Sequence, residues 1–275
     1  MKYIKKFNSV LSLKKGLNKQ SGRNNKGKIT TRHHGGGHKK LFRTLDWSRS
    51  QDNGTIVGFE YDPIRTAPLI KLYNKDNYSY IVAPKGVTIF QQLNTYKSIK
   101  EEAIMTGTFT NKLLKVGDAA PISFFEVGDF LHSIEAFPGQ GPIFGRASGS
   151  YCQIISTNQR ASSFIKDKNK DTNKYAIVRL PSGKKRYISL KAQASLGIVY
   201  QDDKINRNIQ KAGRIRWLGW RPSVRGVAIN PVDHPHGGGQ GKTSGGRPSV
   251  TFKSWPTKGQ PTRSPKRKNK FILKF

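Results

Sequence analysis

Positive charge is gathered at the two ends of this chain, and that placement limits what the chain can fold into unaided. Residues 1–49 carry 14 basic side chains and 1 acidic one, residues 201–275 carry 17 and 3, and the 151 residues between them carry 19 and 12. A middle of such ordinary balance can close around a core. Flanks so strongly cationic repel themselves and need a polyanion beside them. With a formal net charge of +34, the partner is nucleic acid or an acidic membrane surface. No run approaches the roughly 18 apolar residues of a spanning helix, and there is no long basic amphipathic helix of the surface-lying kind. The sequence therefore points to nucleic acid and away from a membrane or a small-molecule substrate.

Cys152 is the one cysteine. It excludes an internal disulfide and any zinc site built on two thiolates, and reads as an inert thiol suited to a reducing compartment. No metal and no cofactor are expected. The stretch from Met1 to Gly16 mixes lysines with Ile4, Phe7, Val10, Leu11 and Leu13 in the manner of a presequence. Transit peptides favour arginine, which is missing here, so it reads as the start of a basic arm.

Residues 1–49 offer little to bury, since glycines break any helix and cations interrupt each apolar cluster. Such a segment orders on its partner. From Thr55 the texture changes. Ile56 to Tyr61, Ala67 to Tyr73 and Tyr78 to Ala83 read as strands, stopped in turn by Asp62-Pro63, residues 74–77 and Pro84-Lys85-Gly86. Further strands are expected at residues 122–125, 131–137, 153–156, 175–180, 185–190 and 196–200, with a hairpin turn at Pro181-Ser182-Gly183. Residues 91–112 read as an extended loop with room for one short helix. Many short β runs with frequent turn signals give a mostly β protein of small barrels. Two fit the length: residues 50–120 and 121–200, between an N-terminal arm (1–49) and a Gly/Pro-rich C-terminal arm (201–275). In the latter, Asp202 or Asp203 caps a short helix that runs through Gln210 and is ended by Gly213; nothing regular is expected beyond it.

Several motifs invite sharper chemistry. Gly237 to Thr243 ends in a Gly-Lys-Thr like that of a nucleotide-binding loop, but His236 stands where the pattern needs glycine, and no strand–helix context surrounds it. A backbone cradle for RNA phosphates, with Lys242, explains the same composition. Gly238-Gly239-Gln240 spells the tripeptide of peptide-release factors, a coincidence within a glycine run. His33, His34 and His38, and again His234 and His236, sit among cations that would repel a metal ion; they suit hydrogen bonds to phosphates and 2′-hydroxyls or stacking on bases. Asp233-His234 is the one pair with a catalytic reading, a carboxylate beside an imidazole, though no nucleophile accompanies it. The strongest chemical signal is residues 214–226, where Arg214, Arg216, Arg221 and Arg225 interleave with Trp217 and Trp220. Guanidinium forks clamp phosphates, and indoles stack on bases. Arg65, Arg146, Arg179 and Arg186 lie at strand ends or turns, where small barrels meet RNA.

Three groups of residues then carry a resemblance. Gly22-Arg23-Asn24-Asn25-Lys26-Gly27-Lys28-Ile29-Thr30 is followed by Arg32-His33-His34-Gly35-Gly36-Gly37-His38-Lys39. Glu60-Tyr61-Asp62-Pro63 and Leu180-Pro181-Ser182-Gly183 fall within the β modules. Lys211-Ala212-Gly213-Arg214, the Arg221 to Gly226 string and Asn230-Pro231-Val232-Asp233-His234-Pro235-His236-Gly237-Gly238-Gly239 complete the set. From about residue 22 onward the chain resembles the ribosomal protein L2 family of the large subunit. The resemblance implies an OB-like barrel followed by an SH3-like barrel, with long irregular basic arms that penetrate rRNA. It implies a structural, non-enzymatic component that binds large-subunit rRNA near the peptidyl-transferase centre and supports assembly, subunit association and tRNA placement. Its partners would be that rRNA, neighbouring ribosomal proteins and the small subunit. The expected RNA-binding residues of the N-terminal arm are Arg23, Asn24, Asn25, Arg32, His33, His34, His38, Lys39, Lys40 and Arg43. To the four barrel arginines the C-terminal arm adds Lys211, Arg214, Arg216, Trp217, Arg221, Arg225, His234, His236, Lys242, Arg247, Lys258 and Arg263. Asp233 and His234 would lie near the peptidyl-transferase centre, His234 as a positioning residue.

The sequence also departs from the family pattern: residues 88–114 are longer and more divergent, and the segments at 144–149 and 253–259 keep only part of their landmarks. Frequent Lys, Asn, Ile, Phe and Tyr suggest an AT-rich coding genome, which with this drift favours a mitochondrial ribosome over a plastid or bacterial one. Two other readings stand against the scaffold: an RNA-acting enzyme using Asp233-His234, and a free-standing single-strand RNA binder in which the barrels alone suffice.

Overall fold

In the computed structural model the described residues are 10–49, 53–75, 77–96, 114–160, 174–201, 208–241, 246–259 and 271–273, with backbone alone at 158–160 and 174. They form two compact units. Residues 10–17, 40–201 and 271–273 make the first, and residues 18–39 and 208–259 make the second.

The first unit is built of antiparallel strands, which makes the fold mostly β. Strand β1 (Lys14–Gly16) pairs with β2 (Leu41–Arg43). A four-stranded sheet follows, in the order β5 (Asn77–Val82), β4 (Leu69–Asn74), β3 (Asn53–Glu60), β6 (Gln92–Asn94). Along β3 every second residue is buried, Gly54, Ile56, Gly58 and Glu60, which is the period a pleated strand imposes. Both faces of the sheet are covered. Ile56, Ile70, Leu72, Ile81 and Leu93 fill one cluster, while Leu45, Leu69, Tyr80, Val82 and Val199 fill another.

The second sheet has six strands in the order β13-β12-β11-β8-β14-β7, where β7 is Ala119–Pro121, β8 Phe130–His132, β11 Cys152–Arg160, β12 Lys174–Arg179, β13 Lys185–Ser189 and β14 Gln193–Leu196. A two-stranded ribbon joins β9 (Ile134–Glu135) to β10 (Pro142–Phe144). Leu131, Ile134, Ile154, Val178 and Ile188 anchor the core with Cys152, whose thiol burial pushes up to about 12.

Several strands differ from their sequence expectation, each for a local reason. Residues 122–125 do not extend a strand: β7 ends at Pro121, which has no N–H for the ladder, and Ile122–Phe124 forms a 3-10 turn with Ile122 and Phe124 buried. Residues 131–137 split into β8 and β9 because Ser133 takes a left-handed conformation, φ 51°. The run expected at 196–200 turns at Gly197, φ 105°. Beyond that turn the Lys85 N–H donates to the Ile198 carbonyl at 2.8 Å, and the Tyr200 N–H donates to the Ala83 carbonyl at 2.8 Å. The end of the second β module therefore lies along the first.

Residues 10–13 and 271–273 are both tied into this unit. The Val10 N–H donates to the Tyr80 hydroxyl at 3.2 Å, and Leu13 packs on the cluster around Leu45. At the other end the Tyr187 N–H donates to the Phe271 carbonyl at 2.9 Å, while Phe271 meets the rings of Phe137 and Tyr175.

The helix expected through residue 210 is also different. Residues 202–207 lie outside the described residues, and the helix in this region is Ala212–Leu218. Gly213 sits in its first turn. The residue that ends it is Gly219, φ 97°, whose N–H donates to the Arg216 carbonyl while the Trp220 N–H reaches back to Ile215. That pair of bonds is a Schellman cap, and it needs the positive φ that glycine adopts freely.

Candidate nucleic-acid interface

The second unit draws on residues 18–39 and 208–269, which together hold 19 basic side chains and one acidic side chain, Asp233. The two basic segments supply each other's backbone partners. The Gly35 N–H donates to the Gly219 carbonyl at 2.9 Å, the His38 N–H to the Trp217 carbonyl at 3.1 Å, and the Arg221 N–H to the His33 carbonyl at 2.9 Å. Lys19 holds the glycine run from the other side, its Nζ donating to the Gly37 carbonyl at 3.0 Å.

This closure brings together four aromatic rings that lie far apart in sequence. His34 meets Trp220 with ring centroids 4.3 Å apart, and His38 meets Trp217 at 5.6 Å. Lys211 sits over the Trp217 ring at 4.9 Å. Trp217 and Trp220 nevertheless remain 43% and 49% exposed, so each still offers ring surface to a partner. Around them Arg216, Arg221 and Arg225 are exposed. Arg216 spends one N–H on the Trp220 carbonyl at 3.1 Å, and the half-buried Arg214 spends one on the Asn208 carbonyl at 3.1 Å. A guanidinium has five donors, so each retains most of its capacity to clamp a phosphate.

Residues 22–31 make a tight loop. Asn24 Oδ1 accepts from the N–H groups of Lys26 and Lys28, both at 3.0 Å, and the Arg23 guanidinium donates to the Gly27 carbonyl at 2.8 Å. The amide oxygen of Asn24 is thus engaged inside the loop, whereas Asn25, Lys26 and Lys28 face outward. Arg32 lies over Phe252 at 4.8 Å, and His33 Nδ1 contacts the Pro222 carbonyl at 3.1 Å.

The segment 226–238 is folded on itself around its histidines. His234 Nδ1 accepts the His236 N–H at 3.1 Å, and His236 Nε2 accepts the Val250 N–H at 3.2 Å. The two imidazoles lie 4.8 Å apart. A Cβ on Gly226 would fall 2.5 Å from His234 Nδ1, and one on Gly237 2.4 Å from the Asn230 carbonyl oxygen, so the loop closes only where glycine stands. Asp233 is exposed. Both imidazoles are thereby used as structural acceptors. Among the described residues no three of His, Cys, Asp and Glu converge as metal ligands would.

The remaining expected residues are dispersed. Lys39, Arg247 and Lys258 are exposed in the second unit, whereas Lys242 and Arg263 lie outside the described residues. In the first unit Lys40 is half-buried, and Arg146 is exposed over Trp47 at 5.4 Å. Arg65 pairs with Asp62 at 2.6 Å and lies over Phe42 at 5.3 Å. Arg179 is exposed at the end of β12. Arg43 and Arg186 turn inward. Arg43 meets Glu60 at 3.4 Å beside Lys14, and Arg186 lies between Phe144 and Phe271, where burial lowers its pKa. Sequence reasoning did not single out Lys19, Trp47 or Phe252, each of which supports an arginine or a glycine turn. Only Trp47 carried a signal, as a tryptophan at the edge of a basic run.

Two family models match the chain. Ribosomal Proteins L2, RNA binding N-terminal domain, covers residues 10–95, and Ribosomal Proteins L2, C-terminal domain, covers residues 115–254. The chain is 44% identical over 272 residues to Large ribosomal subunit protein uL2m of Reclinomonas americana, an alignment spanning 98% of this chain and 88% of the relative. It is 43% identical over 267 residues to Large ribosomal subunit protein uL2 of Rickettsia akari, and equally to that of Rickettsia felis, at 96% and 88% coverage in each case.

Proposed function

The chain belongs to the ribosomal protein L2 family, and on that premise we propose that it is a structural constituent of the large ribosomal subunit, bound to large-subunit rRNA near the peptidyl-transferase centre. The observation that carries this reading is the second unit. Residues 18–39 and 208–269 carry 19 basic side chains against one acid, and the half-exposed indoles of Trp217 and Trp220 stand among the arginines, an arrangement matched to a folded polyphosphate. In this reading residues 50–120 and 121–200 are the compact modules that hold the basic segments in place. The exposed cations Arg23, Arg216, Arg221, Arg225, Arg247 and Lys258, with the half-buried Arg214, contact phosphates. Arg43 and Arg186 serve the interior instead.

His234 acts by position. Its Nδ1 is occupied by the His236 N–H and its ring lies against Gly226, so the side chain stabilises the loop that carries Asp233 toward the RNA. We extend the proposal to contacts with neighbouring ribosomal proteins and with the small subunit, and to a mitochondrial ribosome. Support for the last comes from the AT-rich residue usage and from the uL2m relative.

The test is co-sedimentation of the tagged chain with assembled large subunits, through washes at salt high enough to strip loosely held basic proteins. Retention at stoichiometric level is expected. Release at moderate salt, with the subunits intact, would contradict the proposal.

A further inference from the structure

A groove of about 280 Å³ opens where β11 begins and β12 ends. It is lined by Gly149, Ser150, Tyr151 and Gln153 on one side and by Arg179 with the Leu180–Gly183 turn on the other. That volume lies just under the range of small-molecule pockets, roughly 300–1,000 Å³, and so admits a group of nucleotide size. The walls are tied by backbone hydrogen bonds. The Leu180 N–H donates to the Lys184 carbonyl and the Gly183 N–H to the Leu180 carbonyl, both at 2.8 Å, while Gln153 and Arg179 face each other in the β11–β12 ladder. Tyr151 is 43% exposed, and its ring is fixed against Phe130 at 4.9 Å and 79°. Among the described residues that line it, Arg179 is the one charged group and is exposed, and none is a carboxylate.

These features select an occupant. A ring surface held in place suits a planar group, and a lone cation with no competing acid suits an anion. Because the groove is concave, the planar group must arrive singly rather than stacked in a duplex. We infer that the groove takes one unstacked nucleotide of RNA, its base against Tyr151 and its phosphate at Arg179. This assignment rests on the ribosomal reading above and adds to it a discrete single-nucleotide site on the β module. The Leu180-Pro181-Ser182-Gly183 string becomes the rim of that site. Tyr151, which no motif marked in the sequence, becomes its floor.

The experiment uses the full chain and large-subunit rRNA. Ultraviolet cross-linking with mass spectrometry should give a nucleotide adduct on Tyr151. Affinities are measured across a salt series for the unaltered protein and for Tyr151→Phe, Tyr151→Ala and Arg179→Gln. Tyr151→Phe keeps the ring and should bind as the unaltered chain does. Tyr151→Ala should bind about fivefold more weakly or worse, with an unchanged salt slope, because stacking releases no counterions. Arg179→Gln, an exposed change that leaves the fold intact, should flatten the log–log slope by about 0.7–0.9, one phosphate contact.

If the unaltered chain binds and neither Tyr151→Ala nor Arg179→Gln differs from it, the groove is not an RNA site. A groove covered by a neighbouring protein would give that result. A loss in Tyr151→Ala with no change of slope in Arg179→Gln also overturns the proposal, since Tyr151 would then act through the fold. Failure of the unaltered chain to bind the rRNA would instead overturn the ribosomal reading itself, and this site with it.

Discussion

Gly37 lies so near Gly219 that a Cβ built at position 37 would stand 2.9 Å from the Gly219 Cα and 2.7 Å from the Trp217 carbonyl oxygen. Two basic segments widely separated in sequence thus meet at a point where one of them can carry no side chain. The positive φ at both glycines, 81° and 97°, fixes the turn on each side.

Gly37→Ala should therefore separate His34 and His38 from the two tryptophans. rRNA affinity should fall about tenfold, equivalent to about 1.4 kcal/mol, and tryptophan fluorescence should shift. Gly27→Ala is the matched control. Its φ is similar, 75°, but nothing lies within 4 Å of the added Cβ, so the change costs only local backbone strain. Equal effects from the two variants would mean that the contact at Gly37 does not organise the interface.

His234→Gln removes the acceptor that holds the His236 N–H and the ring packed on Gly226. Loss of one hydrogen bond of about 1 kcal/mol predicts roughly fivefold slower incorporation into large subunits. Subunits that do assemble should show normal peptide-bond formation per particle and an unchanged pH profile. Abolished peptide-bond formation in fully assembled particles would show that His234 takes part in chemistry.

Glu60 is the hub of the first module. Lys14 and Arg43 approach it at 3.3 and 3.4 Å, and the Tyr80 hydroxyl donates to it, a bond that helps burial push the tyrosine up to about 12. Glu60→Ala would strand the buried Arg43 guanidinium, and breaking a buried pair from one side costs about 3–5 kcal/mol. Denaturant unfolding should show a loss of that order. Replacing Glu60 and Arg43 together should cost less than the sum of the single changes.

The fold was legible in the sequence where apolar runs are bounded by turn residues. β3, β4 and β5 lie within two or three residues of those runs; β3 alternates buried and half-buried residues, whereas β4 and β5 bury consecutive residues against the two covered faces of the sheet. Three strand misreadings fall where a single backbone conformation outweighs the pattern, at Ser133, Gly197 and Pro121; β6 lies inside a run read as a loop, and the helix Ala212–Leu218 lies beyond the one expected. For the candidate interface, the arginine and tryptophan string at 214–226 marked one of the two segments that the fold brings together. Its apposition to residues 33–38 could not be read, because long-range pairing of glycine-rich segments has no periodic signature. Composition likewise could not separate the inward Arg43 and Arg186 from the outward Arg146 and Arg179. The difference lies in Glu60, Phe144 and Phe271, which reach them only through the fold.

His132 is fully buried, and burial first, then the nearby Arg49 charge, lower its pKa to about 3. Its Nε2 has no hydrogen-bond partner among the described residues. The folded state therefore keeps the ring neutral while the unfolded chain protonates it below about pH 6.5. Stability should be lost as pH falls from about 6.5 toward about 3, at up to roughly 1.4 kcal/mol per pH unit for this one proton. Unfolding of the unaltered chain and of His132→Gln, compared at neutral pH and near pH 4.5, isolates the effect. The variant should be less stable at neutral pH yet lose less on acidification. Parallel losses in the two proteins would remove His132 as the cause.

The central claim is that the second unit is folded to grip polyphosphate, and the most direct test is the salt dependence of rRNA binding by the full chain. Affinity should fall steeply with salt in the unaltered protein. Replacing both Arg214 and Arg216 by Gln should weaken binding at every salt concentration and flatten the log–log slope by about 1.5, two phosphate contacts. Unchanged affinity and an unchanged slope in that double variant would contradict the account.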